Sequence, residues 1–218
     1  MRVMLLGATG LVGQGVLQVL LDAEDVNGIV LPVRHRLNLA APHVAQHVLP
    51  DLAQLDARHP AMQGLDACLN CIGVLPGFSE DAFRAVTVDL NLQLAQAFAA
   101  ANPGGVFAYV SGAASDPDSA LMPLRVKGIA ERELQALPIA TVMLRPGIVQ
   151  PVDGVRSPHG LRNAVYSVSA PLMGLARRMA PAAFTTTRAI GRAMLGSVRQ
   201  RGDGDRILEN TDIERLGA

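Results

Sequence analysis

Apolar positions along the chain fall into short blocks separated by polar and glycine-rich stretches. Residues 2–6 (RVMLL) form the first block, too short for a helix and suited to a buried strand. Val12, Val16, Val19 and Leu20 follow at helical spacing. Strand-like blocks recur at 29–33, 44–49, 67–72, 106–110 and 139–144. Between the later ones lie helical patterns. One is capped by Ser79 and runs to about residue 101, where Asn102, Pro103 and Gly104 stop it. Another spans about 120–137. Only about ten residues link the second strand to the third, which predicts a loop rather than a crossover helix. Strands and helices in alternation predict an α/β fold, a doubly wound parallel sheet with helices on both faces.

The pattern loosens after the sixth strand. Pro151, Gly154, Pro158 and Gly160 mark a loop. Residues 161–179 read as mainly helical, with Pro171 as a break, and 187–200 as a further helix. Gly202 and Gly204 turn the chain before Ile207 and Leu208. No repeat or low-complexity linker divides the sequence, so residues 1–218 read as one domain, with 151–218 as its substrate-side lid.

The first block leads into Gly7, Gly10 and Gly13, spaced three apart. Strand, glycine turn and helix in that order predict the opening of a dinucleotide-binding βαβ unit. Gly7 can leave the strand with positive φ. Gly10 lets backbone N–H groups approach a pyrophosphate, and Gly13 lets the helix pack on the strand. Thr9, Leu11 and Val12 complete the turn. Its anion would sit at the helix N-terminus, where free N–H groups and the helix dipole favour negative charge. A purely structural turn or a signal peptide would also begin this way, but no small-residue cleavage site follows cleanly.

The second strand ends in Arg34, His35 and Arg36. An acid usually stands there in NAD-binding folds, on the ribose 2′-hydroxyl. Arg34 and Arg36 instead offer planar cations matched to a phosphate, which predicts NADP (NADPH), with Arg34 the better candidate. A solvated basic loop is the alternative. Asp51 stands where a carboxylate could accept the adenine amino hydrogens, or cap a helix. Gly73, after the fourth strand, would let the backbone approach the same cofactor.

Composition narrows the function classes. Nineteen basic and nineteen acidic residues cancel, which leaves no charge excess for a nucleic-acid surface. No apolar run reaches transmembrane length, so stable membrane insertion is not expected. Cys68 and Cys71 form a C-x-x-C without a second ligand pair. They read as two buried thiols in a reducing cytoplasm, with a redox pair or half a zinc site as the alternative. Lys127 is the one lysine in the chain.

These features, in order, resemble the short-chain dehydrogenase/reductase superfamily. They are GATGLVGQGV, Asp51, CIG after strand four, VSGAAS after strand five, Lys127 and RPG after strand six. The likeness is nearest to its atypical members, the nucleoside-diphosphate-sugar-epimerase-like and Tat-interacting-protein-like NAD(P)H-binding proteins. It extends over nearly the whole chain, including ILENTDIERL near the C-terminus. The resemblance implies a Rossmann fold and a catalytic serine at Ser111. It implies a Tyr-x-x-x-Lys pair whose lysine is Lys127, which holds the nicotinamide ribose.

The tyrosine is missing: Pro123 stands four residues before Lys127. Expected carbonyl reduction is therefore weak, depending on Ser111 and on His159 or Tyr166 from the C-terminal segment. The expected function is an NADP-dependent oxidoreductase or epimerase-like enzyme, with a non-catalytic redox-sensing protein as the alternative. The expected partner is a small-molecule substrate or a protein, with a second copy of the chain as a candidate.

Overall fold

The structure is a computed structural model that describes residues 1–74, 79–155, 181–203 and 206–218. Seven strands form one parallel sheet in the order β3-β2-β1-β4-β5-β6-β9. They are β1 (Arg2–Leu6), β2 (Gly28–Val33), β3 (Val44–Val48), β4 (Ala67–Asn70), β5 (Val106–Val110), β6 (Ala140–Arg145) and β9 (Ile207–Glu209). A parallel pair, β7 (Ile148–Gln150) and β8 (Phe184–Thr186), stands beside it.

The central strands are apolar throughout because both faces are covered. In β1, Val3 and Leu5 face one core, while Met4 and Leu6 face the other. The first core takes Val16 and Leu20 of α1 (Leu11–Asp22) and Ile190 and Met194 of α5 (Thr187–Arg199). Ile213 of the last helix, α6 (Asn210–Gly217), joins them. The second takes Phe83 of α2 (Glu80–Arg84), Leu94 and Phe98 of α3 (Asn91–Ala101), and Val126 and Leu134 of α4 (Met122–Gln135).

The helix expected from Ser79 to residue 101 forms, with Ser79 Oγ accepting from Ala82 N at 3.3 Å. Its middle, Ala85–Leu90, is a π-helical turn. β2 and β3 pair in parallel across a helix-free link, as its length required. Gln46 braces that link, accepting from Leu37 N and donating to Leu37 O.

β4 stops at Asn70, two residues earlier than the apolar pattern suggests. Asn70 Oδ1 accepts from Ile72 N at 2.9 Å and turns the chain out of the strand. Cys71 is therefore not the deeply buried strand residue expected; it is half-buried beyond the strand end, while Cys68 is fully buried. Both are free thiols. Among the described residues no His, Cys, Asp and Glu group could hold a metal ion. No described helix is long and apolar enough to cross a membrane.

Candidate functional site

The strand order reverses between β1 and β4, and ligands of open α/β sheets bind outside the strand C-termini at such a point. A cleft of about 520 Å³ opens there. Gly7, Ala8, Thr9 and Gly10 form one wall, Arg34 and Asp51 the end, and Cys71, Ile72 and Gly73 the other wall.

The glycine turn has three different physical reasons. Gly7 has φ +77, and a Cβ there would meet the Cys71 carbonyl at 2.8 Å. Gly13 is buried in α1, where a Cβ would lie 2.0 Å from Gly7 O. Gly10 is less crowded: a Cβ would lie 3.3 Å from Gly7 O, a tight contact but not an overlap. A Cβ at Gly73 would meet nothing within 4 Å. Protein packing thus explains Gly7 and Gly13, while Gly10 and Gly73 keep the cleft side bare. Gly10 is also the N-cap of α1 and brings no side chain to its first N–H groups. Leu11, Val12 and Gly13 carry those groups, and the turn fits an anion.

Arg34 is exposed and lines the cleft where β2 ends. Arg36 is exposed but is not part of the lining. Asp51 does two things. It borders the cleft, and its Oδ1 accepts from Ala53 N at 2.9 Å, capping the short 3₁₀ turn Leu52–Gln54.

Val74 borders this cleft and also a second cavity of about 590 Å³. Gly112, Ala113, Pro123, Lys127 and Pro146 line the second one. Pro123 sits in the first turn of α4, where its missing N–H breaks no helical bond. One turn on, Lys127 Nζ donates to Ser111 O at 2.8 Å. Burial pulls the Lys127 pKa below the ordinary lysine value, and Glu131 partly offsets this.

Ser111 meets Lys127 through its carbonyl, not its hydroxyl. Its side chain is buried, with Oγ 3.0 Å from Ser115 Oγ. Ser115 donates its own proton to Gly112 O at 2.7 Å, so the Ser111 hydroxyl donates to Ser115. Ala114, at φ 58, bends the loop that returns Ser115. His159 and Tyr166 lie outside the described residues.

Several supporting residues carry no sequence signal. Asn70 Nδ2 donates to Asn91 Oδ1 at 2.9 Å inside the core, which fixes the end of β4 against α3. Asn210 Oδ1 accepts from Gly147 N at 2.7 Å, and its amide donates to Ala182 O and Phe184 O. Asn210 thereby shapes one side of the second cavity. A polar residue inside an apolar block was the one available hint for Asn70.

No model of a known protein family matches the chain. Protein FMP52, mitochondrial, of Eremothecium gossypii is 30% identical over 169 residues, 76% of this chain and 73% of that protein. Solved structures share the fold at lower identity. MoeE5 in complex with UDP-glucose and NAD superposes with a TM-score of 0.70 and 16% identity, over 96% of this chain and 75% of its own. A short-chain dehydrogenase from Burkholderia cenocepacia in complex with NADP gives 0.66 and 18%, over 99% and 93%. The UDP-glucuronic acid 4-epimerase of Bacillus cereus in complex with NAD gives 0.66 and 13%, over 96% and 76%. The chain therefore belongs to the family of Protein FMP52 and has the Rossmann fold of the short-chain dehydrogenases and epimerase-like enzymes.

Proposed function

We propose that the protein is an NADP(H)-binding oxidoreductase of the atypical short-chain dehydrogenase/reductase type. One observation carries the reading: Gly10 and Gly73 are bare on the cleft side, although packing excludes a Cβ at neither. The turn at Gly7–Gly13 would hold the pyrophosphate on the first N–H groups of α1. Asp51 would face the adenine, and Lys127 the nicotinamide ribose. The dinucleotide would supply a hydride at the second cavity.

Solved neighbours hold NAD in some cases and NADP in others. The end of β2 supports NADP here, because Arg34 lines the cleft and no carboxylate replaces it. Ser111 and Lys127 are the polar groups assigned to the reacting end, and His159 and Tyr166 are the further candidates from the C-terminal segment; residues 187–199 and 207–217 of that segment belong to the core and the sheet rather than to a lid. The expected partner is a small-molecule substrate, with a homodimer as the assembly. Two free thiols suit the cytoplasm, although the FMP52 relative carries a mitochondrial name.

Pro123 favours a second reading, a non-catalytic NADP(H)-binding sensor, because a proline removes the acid of the Tyr-x-x-x-Lys pair. Calorimetric titration of NADPH tests the common core of both. The wild-type chain should bind at micromolar affinity. Gly10→Val should keep the fold, seen by circular dichroism, and lose binding. Equal binding by the two proteins would place the phosphate site elsewhere.

A further inference from the structure

The second cavity has a polar end and an apolar body. Val74, Phe83, Pro123, Leu124 and Ile148 make up much of the body. Leu121, 64% exposed, precedes α4, and Ile148, 47% exposed, borders the cavity. Among the described lining residues, Lys127 is the one ionisable side chain. Asn210 also lines the cavity, but its amide hydrogens are directed to Ala182 O and Phe184 O.

We propose that Lys127 is the proton donor to a carbonyl substrate with an apolar body, in place of the tyrosine that Pro123 replaces. The proposal rests on the oxidoreductase reading above. An ammonium has three N–H groups, and Ser111 O takes one of them. The other two remain for a ribose hydroxyl and a substrate oxygen. The Ser111 hydroxyl is buried and engaged with Ser115 Oγ at 3.0 Å, and Ser111 is not among the described residues that line the cavity.

Surrounding charge suits the role. Glu131, four residues on in α4, is the charged group acting on Lys127. Arg145 Nη2 pairs with that carboxylate at 2.6 Å, which weakens its hold on the Lys127 proton. The loops after β5 and β6 face the cavity with Gly112, Ala113, Pro146 and Gly147, α2 with Phe83, and α6 with Asn210, none of them titratable. Burial then makes Lys127 a stronger acid than a solvated lysine.

The step balances. The reduced dinucleotide would supply a hydride to the carbonyl carbon and be oxidised. As the C=O π bond opens, the oxygen takes a proton from Lys127 Nζ. Lys127 is left as a neutral amine and regains a proton from water.

A single lysine makes the test direct. Reductive ¹³C-methylation labels Lys127 and the N-terminal amine alone, and NMR follows their titration in the ligand-free protein. Lys127 should titrate below the ordinary lysine value; a value at or above it overturns the proposal. Turnover is then read with hexanal and NADPH. Lys127→Arg keeps the cation but does not release a proton near neutral pH. Its kcat, read at saturating NADPH, should fall at least about 100-fold. Wild-type kcat should fall as pH rises through the NMR value, and Lys127→Arg should lack that limb.

The Tyr166→Phe/His159→Ala double variant should retain most turnover. Loss confined to the double variant, unchanged kcat in Lys127→Arg, or a wild-type chain that binds NADPH yet reduces no hexanal overturns the proposal. A wild-type chain that binds no NADPH overturns the oxidoreductase reading as well, which separates the two failures.

Discussion

Arg145 Nη2 stands 2.6 Å from Glu131 Oε2, and Arg145 Nε lies 3.1 Å from both carboxylate oxygens. The pair ties the end of β6 to α4, and Arg145 Nη1 reaches Glu209 Oε1 of β9 at 2.9 Å. Glu131 is 3% exposed. Removing one partner of a buried pair strands the other charge, whereas replacing both need not.

Arg145→Met should therefore destabilise the fold by about 3 kcal/mol. Arg145→Met/Glu131→Leu should recover most of that loss. Urea unfolding of the three proteins measures it. A single variant as stable as wild type would show that the pair contributes little.

The thiols should be slow to react. Burial pushes Cys71 up to about 12 and Cys68 higher still. Little of either thiol is then thiolate at pH 8, and the thiolate is the nucleophile. Iodoacetamide labelling of the folded protein at pH 8 should take hours longer than in urea. Cys71 should react first, because it borders the cleft. Rapid labelling of either thiol in the folded state would contradict this.

Pro123→Tyr rebuilds the Tyr-x-x-x-Lys spacing on the first turn of α4. A first-turn residue needs no intrahelical N–H bond, so the helix should tolerate the change. A phenol beside Lys127 should raise hexanal reduction about tenfold or more, within the range of general acid catalysis. A folded, NADPH-binding variant with unchanged turnover would show that the cavity does not bring a substrate carbonyl to that turn.

The sheet and the glycine turn were legible because each rests on local residues. Apolar blocks such as 2–6 are strands in any context that buries both faces; Gly7 is required by its own positive φ, and Gly13 by a contact with Gly7 O six residues back. Strand ends were less legible: Asn70 ends β4 through its side-chain bond to Ile72 N, which the apolar pattern of CLNCIG conceals. Contacts between distant elements left no local pattern. Glu131 and Arg145 are 14 residues apart, and Asn70 and Asn91 are 21 apart. The orientation of the Ser111 hydroxyl depends on Ala114 adopting positive φ, which no residue type there demands.

In the proposed NADP(H) cleft, Arg34 is the residue on which cofactor choice turns. Parallel fluorescence titrations with NADPH and NADH test it most directly. The wild-type chain should bind NADPH at least about tenfold more tightly than NADH, a difference of ~1.4 kcal/mol. Arg34→Ala should remove most of that difference while leaving NADH affinity nearly unchanged. Equal affinities for the two dinucleotides in the wild-type chain, or no binding of either, would rule out an NADP(H)-selective cleft.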